Sequence, residues 1–184
     1  RTSQPPVKAL FSLMCFHASR FEARKNKDGE LVLYEDQDES LWNRELISRG
    51  AFFLHQATGG NHLTKYHVEA SIAYWHTLKA DVGEKWNHIL QLYDVLLKME
   101  DSPLAALNRI YAFSKVYGKS KAIVEAEKLK LADNHYYFAL LGELYKDLDS
   151  QLAIVNFEKA FSKARNKTDQ MTLQRKIEDL SKLN

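Results

Sequence analysis

An all-α fold is predicted: an array of about nine antiparallel helices, repeat-built in its C-terminal half. Three observations predict it. Pro (3) and Gly (7) are scarce in 184 residues, which disfavours a fold of many tight turns. Apolar residues recur at i, i+3, i+4 and i+7 through most of the chain, the spacing of one helical face. A helix–turn–helix pattern also returns near every 31 residues in the last third.

Length and charge narrow the function classes. A chain of this size buries roughly 70% of its unfolded surface, so it needs neither disulfides nor a metal to fold. Basic (26) and acidic (24) residues nearly balance, for a formal net charge of +2. A nucleic-acid-binding domain would carry a basic stripe instead, so no direct nucleic-acid binding is expected. No apolar run approaches the ~20 residues that span a bilayer, and no secretory leader is visible. The single Cys15 has no partner to bridge, so a cytoplasmic protein is expected. The chain begins at Arg1 rather than Met and is expected to be a piece of something longer.

Each helix has its own signal. Val7 to Lys25 follows Pro6, with Leu10, Leu13, Met14, His17 and Phe21 expected inward and Arg20, Arg24, Lys25 and Lys27 basic at its end. Asn26 to Gly29 reads as a turn and Leu31 to Tyr34 as extended. A second helix is expected from Ser40 to Thr58, capped by Asp36, Asp38 or Ser40, with Trp42, Leu46, Ile47, Gly50, Phe53, Leu54 and Ala57 inward. Gly59-Gly60-Asn61 ends it. The third helix, Thr64 to Lys79, puts Ala70 and Ala73 where a neighbour can approach closely. The fourth, Glu84 to Met99, carries the most regular apolar stripe. Ser102 and Pro103 cap and start the fifth, which ends near Gly118. The remaining helices are expected at Ser120–Leu131, His135–Asp147 (capped by Asn134) and Gln151–Arg165, with a ninth capped by Thr168 or Asp169.

Leu141-Gly142-x-x-Tyr145, followed by Ala153, Phe157 and Ala160, resembles the tetratricopeptide pattern. Its turn is one residue short, and Asp149 stands near the usual turn glycine. Ala112 lies thirty residues before Gly142, and Ala122 thirty-one before Ala153. The period is therefore shorter than the usual ~34. Small residues at the crossings let paired helices touch, and apolar residues then stack on the next pair. Two regions are expected in one compact unit: an N-terminal helical region with an acidic loop over 1–62, and helical repeats over 63–184.

The stretch from Gly29 to Ile47 organises the rest. Four carboxylates, Glu35, Asp36, Asp38 and Glu39, surround Gln37, and Trp42 follows. Two readings stand. The acids could face a basic patch on a partner, with Trp42 holding the loop to the core. Alternatively one Asp caps the next helix and the others are solvated. A calcium loop would need a glycine and a distal Glu that are missing. The seven histidines show no His-Glu-x-x-His or Cys-His spacing, Cys15 reads as a packed thiol, and no phosphate loop occurs. No catalytic residue, cofactor or metal is therefore assigned. Asn108-Arg109 sits among apolar neighbours on the fifth helix. It either holds an extended peptide backbone in a groove or bonds between helices.

These residues together resemble the C-terminal, tetratricopeptide-like extension of a group of extracytoplasmic-function (ECF) RNA polymerase sigma factors. The resemblance rests on Ala9-Leu10-x-x-Leu13-Met14, Ala18-x-Arg20, Asp28-Gly29-Glu30-Leu31-Val32-Leu33 and Glu35-Asp36-Gln37-Asp38-x-Ser40-x-Trp42. It continues through Leu46-Ile47, Gly50, Ser102-Pro103, Ala106-Leu107-Asn108-Arg109 and the Leu144 to Ala160 repeat. Its specificity lies in Glu-Asp-Gln-Asp-x-Ser-x-Trp and Ala-Leu-Asn-Arg. The family usually has Arg where this chain has Glu39, so the segment is more acidic here.

The resemblance implies a bacterial, non-catalytic regulatory domain. Its partners would be the sigma DNA-binding domains upstream in the same full-length chain, core RNA polymerase or a small regulatory protein. Glu35, Asp36, Gln37, Asp38, Trp42, Asn108 and Arg109 are its candidate contact residues. The competing expectations are a stand-alone peptide-binding adaptor, a small-molecule sensor and a metal hydrolase.

Overall fold

The computed structural model describes residues 4–27, 32, 34–59, 62–79 and 84–182. Among these residues the secondary structure is helical and contains no strand. The α-helices are α1 (Pro5–Ser19), α2 (Arg44–Ala57), α3 (Lys65–Trp75), α4 (Lys85–Met99), α5 (Pro103–Tyr117), α6 (Lys119–Glu127), α7 (His135–Tyr145), α8 (Ser150–Lys163) and α9 (Lys167–Ser181). Three short 3-10 turns, Glu22–Arg24, Tyr34–Asp36 and Glu39–Leu41, separate α1 from α2. Among the described residues, the all-α class and its nine α-helices are as the periodicity predicts.

The chain forms two compact units. One is Arg1–Asn26 with Val32–Asp101, and the other is Lys27–Leu31 with Ser102–Asn184. The division expected after residue 62 falls between α2 and α3 of the first unit. There α3 packs on both α1 and α2, and α4 packs on α3.

In the first unit α1 approaches α2 closely because Gly50 has no side chain. A Cβ there would stand 2.6 Å from Cε1 of Phe16. The Ser12 hydroxyl donates to the Gly50 carbonyl at 2.7 Å. This contact selects which face of α1 is inside. Ala9, Ser12, Cys15, Phe16 and Ser19 are buried, whereas the expected inward residues Leu10, Met14 and Phe21 are exposed, Phe21 to 66%. Apart from Phe16, small side chains rather than large ones make up this buried face.

Helix α1 also ends at Ser19, not Lys25; a 3-10 turn follows. The Ser19 carbonyl accepts the Asn43 amide at 2.8 Å, so the end of α1 is tied to the start of α2. Helix α2 begins at Arg44, with Asn43 as its cap accepting from the Leu46 amide. The expected caps Asp36, Asp38 and Ser40 are therefore corrected: Asp38 caps the Glu39–Leu41 turn instead. Tyr34, expected to be extended, opens a 3-10 turn. Leu31 and Leu33, and the expected glycine turn at Gly29 and Gly60-Asn61, lie outside the described residues. The α4 stripe is inward as expected, with Trp86, Ile89, Leu90, Tyr93 and Leu96 buried.

In the second unit, consecutive helices from α5 to α9 pack in pairs. Ser102 caps α5 with Pro103 in its first turn. Gly118, at φ 90 and ψ 157, ends α5 and caps α6 with no residue between. Only glycine adopts that conformation without strain. Helix α6 stops at Glu127, short of the expected Leu131, and Lys130 takes a left-handed φ of 49.

The repeat positions behave alike. Ala112, Ala122, Ala153 and Ala160 are all 0% exposed. A Cβ on Gly142 would meet Phe157 Cε1 at 2.5 Å, so α7 and α8 cross in contact there. Asn134 caps α7 as expected, and Asp149 caps α8. Asn166, rather than Thr168 or Asp169, caps α9.

Candidate interaction site

The acidic elbow, Tyr34 to Trp42, is held by its backbone and its aromatic side chains. Trp42 is 3% exposed, as its place after the acids suggests. The Lys79 ammonium donates to the Gln37 carbonyl. The Gln37 side chain is buried, and its amide donates to the Val32 carbonyl at 3.4 Å. The Tyr34 hydroxyl donates to the Leu78 carbonyl at 3.2 Å and accepts from the Lys85 ammonium at 2.7 Å. Gln37 and Trp42 are thus positioning residues of the elbow rather than outward contacts.

The carboxylates point the other way. Glu35, Asp36 and Asp38 are exposed. Asp38 accepts from the Ser40 amide at 2.8 Å. Hydrogen bonds from the Ser40 hydroxyl and amide hold its carboxyl below the usual range, and Lys79 adds to the effect. Glu39, at the position where the resembled family has Arg, pairs with Arg44 at 3.7 Å. The Arg44 guanidinium in turn lies 5.9 Å from the centre of the Trp42 ring. Asp38 therefore combines a capping role with an exposed charge.

Beneath the elbow is a cationic and aromatic cluster that the sequence does not announce. Arg20, expected only as a basic helix end, is 8% exposed, and Lys85 is 1% exposed. The Arg20 guanidinium lies 5.4 Å from the Tyr34 ring centre and 5.7 Å from that of Trp42. Tyr34 also meets His76 edge-on at 5.0 Å and Trp86 at 6.4 Å. Burial lowers Arg20 to about 10, with Arg24 adding to it. Burial likewise lowers His76 to about 3, with Arg20 and Lys85 adding to it. These residues come from four separate segments, the ends of α1 and α3, the elbow and the start of α4, so no local spacing could have joined them. The nearest signal was Arg20, which stands in the family-like motif.

Asn108 and Arg109 belong to the second unit. Asn108 is exposed, so its side chain is not enclosed between helices. Arg109 is half-buried, with its guanidinium 5.9 Å from the Phe113 ring centre. Of the histidines, His67 is a satisfied core residue. Its Nδ1 accepts from the Thr64 amide at 3.2 Å, and its Nε2 meets the Ala57 carbonyl at 3.3 Å, which fixes the proton on Nε2. Cys15 is a buried thiol that burial pushes up. Among the described residues no group of three or more His, Cys, Asp or Glu could hold a metal ion. No helix among them is long and apolar enough to cross a membrane.

Residues 1–58 match a family of unknown function (DUF6596); that segment holds α1, the elbow and α2. The chain is also 31% identical over 184 residues to the uncharacterized protein R00370 of Rhizobium meliloti (strain 1021), covering 97% of this chain and 43% of that protein. It therefore spans less than half the length of this relative. No solved structure matches the chain.

Proposed function

We propose that this chain is a non-catalytic regulatory and protein-interaction domain of an extracytoplasmic-function sigma factor, acting in transcription initiation in the bacterial cytoplasm. The observation that carries this reading is the build of the elbow. Its backbone is held from below by Lys79, the Tyr34 hydroxyl by Lys85, and the Trp42 ring is buried, while Asp36 and Asp38 stand exposed at its tip. Side chains held in that way meet a basic partner with little ordering cost. Opposite charges also attract across roughly 8 Å at physiological salt, which steers encounter. The basic partner is a sigma DNA-binding domain of the same full-length chain, core RNA polymerase or a small regulatory protein. Large apolar side chains exposed on α1 and just after it, among them Phe11, Met14 and Phe21, supply a protein contact with its apolar part.

The test replaces both Asp36 and Asp38 by Asn in the full-length protein. Asn can still cap the 3-10 turn, so the fold should persist while the charge is lost. Transcription from a cognate promoter should fall with an unchanged melting temperature. Unaltered transcription would remove the contact role.

A further inference from the structure

Helix α1 has two apolar faces, and one of them is exposed. Ala9, Ser12, Phe16 and Ser19 form the buried face. Val7, Leu10, Phe11 and Met14 fall at i, i+3, i+4 and i+7, the spacing of a face that packs on a neighbour. Each of these four is exposed, Met14 to 58%. Helix α2 runs antiparallel beside α1: the Lys8 ammonium donates to the Gln56 side chain at 3.2 Å, the Ser12 hydroxyl to the Gly50 carbonyl and the Asn43 amide to the Ser19 carbonyl. Across that seam the patch continues. Phe11 meets Phe53 edge-on with ring centres 4.7 Å apart, and Phe53 meets Phe52 at 5.4 Å. Phe52 is 59% exposed. Scattered exposed apolar residues are ordinary, but a contiguous patch of them marks an interaction site.

The charges along the patch select its occupant. Helices α1 and α2 carry Lys8, Arg44 and Arg49 against a single carboxylate, Glu45. Lys8 reaches across the seam to Gln56, and Arg49 is exposed and close enough to Cys15 to act on its thiol. Lys8 and Cys15 are seven residues apart on α1, so the two cations stand about 10 Å, or two helical turns, apart along the seam. Glu45 stands toward the other end, two residues past the Asn43 tie to Ser19. A second copy of the chain would bring like cations together, which disfavours self-association through this face. An anionic bilayer attracts Lys8 and Arg49 but is repelled by the exposed Glu35, Asp36 and Asp38 of the same unit. A protein helix that brings its own carboxylates meets neither objection.

We propose that the outer face of α1 and α2 docks an amphipathic helix of a partner protein, with its apolar stripe on Val7, Leu10, Phe11, Met14 and Phe52 and its carboxylates on Lys8 and Arg49. The fitting helix has apolar anchors at i, i+3, i+4 and i+7 and acids two turns apart beside them. This face is opposite in sign to the elbow, so the two surfaces take different partner groups. The inference deepens the interaction-domain reading and rests on it. Peptide binding by this face and transcription with the Asp36 and Asp38 variants use different residues, so they fail separately.

The experiment titrates the chain into a fluorescein-labelled synthetic peptide of about 18 residues, long enough to form a helix. Leu occupies its i, i+3, i+4 and i+7 positions, and Glu flanks the stripe two turns apart. One control peptide has Lys in place of Glu, and another has the same composition in scrambled order. Fluorescence anisotropy at physiological salt should give saturable binding of the Glu peptide, with Kd below roughly 100 μM. Met14→Glu and Phe52→Glu change exposed side chains, so their melting temperatures should hold while binding weakens by about tenfold or more. Arg49→Glu should weaken the Glu peptide and strengthen the Lys peptide, a reversal that general damage does not imitate. If either apolar variant fails to fold, that reversal decides. The proposal is overturned by no saturable binding, by the scrambled or Lys peptide binding wild-type chain as tightly, or by affinities unchanged in the variants. It is also overturned if sedimentation shows a dimer that Met14→Glu dissolves, which makes a second copy the occupant. Co-sedimentation with phosphatidylglycerol vesicles that Met14→Glu abolishes would overturn it in favour of a membrane surface.

Discussion

Trp42 joins the elbow to its unit, and its loss should be felt there first. The ring is 3% exposed, stacks on Tyr34 at 6.4 Å between centres, and lies near both Arg20 and Arg44. Trp42→Ala should cost about 3–5 kcal/mol by the usual scale for a buried aromatic. Urea denaturation would measure it, and an unshifted midpoint would count against a structural role. His76 gives a pH signature. Its folded value is about 3 against 6.5 for the free side chain. Below about 6.5 the unfolded chain takes up a proton that the native state refuses, so its share of stability is full above that pH and falls toward 3. His17 shifts the same way through burial and so adds to the slope. His76→Gln should flatten the loss of stability on acidification, read from urea midpoints across pH. The Trp was legible because a large aromatic after an acid run has few other places to go. Arg20 and Lys85 were not, since a buried cation differs from a solvated one only in what surrounds it.

At the level of elements, two glycine–phenylalanine contacts bring helix pairs close together. Gly50 under Phe16 joins α2 to α1, and Gly142 under Phe157 joins α7 to α8. The second was legible as part of a repeat pattern. The first was not, because Phe16 was absent from the stripe read by hydrophobicity alone. Gly142→Ala tests the principle. Alanine favours a helix by about 1 kcal/mol, but its Cβ would overlap a ring that is only 1% exposed. Overpacking of this kind costs about 1–3 kcal/mol, so the melting temperature should fall. Gly142→Ala with Phe157→Leu should recover part of the loss, and a stabilised single variant would show that the ring yields freely. Helix boundaries were least legible where competing caps crowd together. Asp36, Asp38, Ser40 and Asn43 can all cap, and the tie of Asn43 to Ser19 decides among them.

For the whole molecule, balanced charge is the governing fact. Net charge is +2, and Glu35, Asp36 and Asp38 of the elbow are exposed while Arg20 and Lys85 beneath it are buried. This chain alone should give no shift of promoter DNA in a mobility assay at physiological salt, because phosphate contacts need clustered Lys and Arg. A retarded band at that salt would contradict the proposed division of labour. The all-helical class was legible because periodicity is a whole-chain property and survives local errors. The two-unit division was not, since it depends on which helices α3 and α5 choose as neighbours.

Gly118 is the corner where α5 turns into α6. The angle between those two rods is written into a single pair of dihedrals that one residue type can hold. Space is not what excludes other residues there, since a Cβ would meet nothing within 4 Å; the bend is a property of the backbone and owes nothing to the side chains nearby.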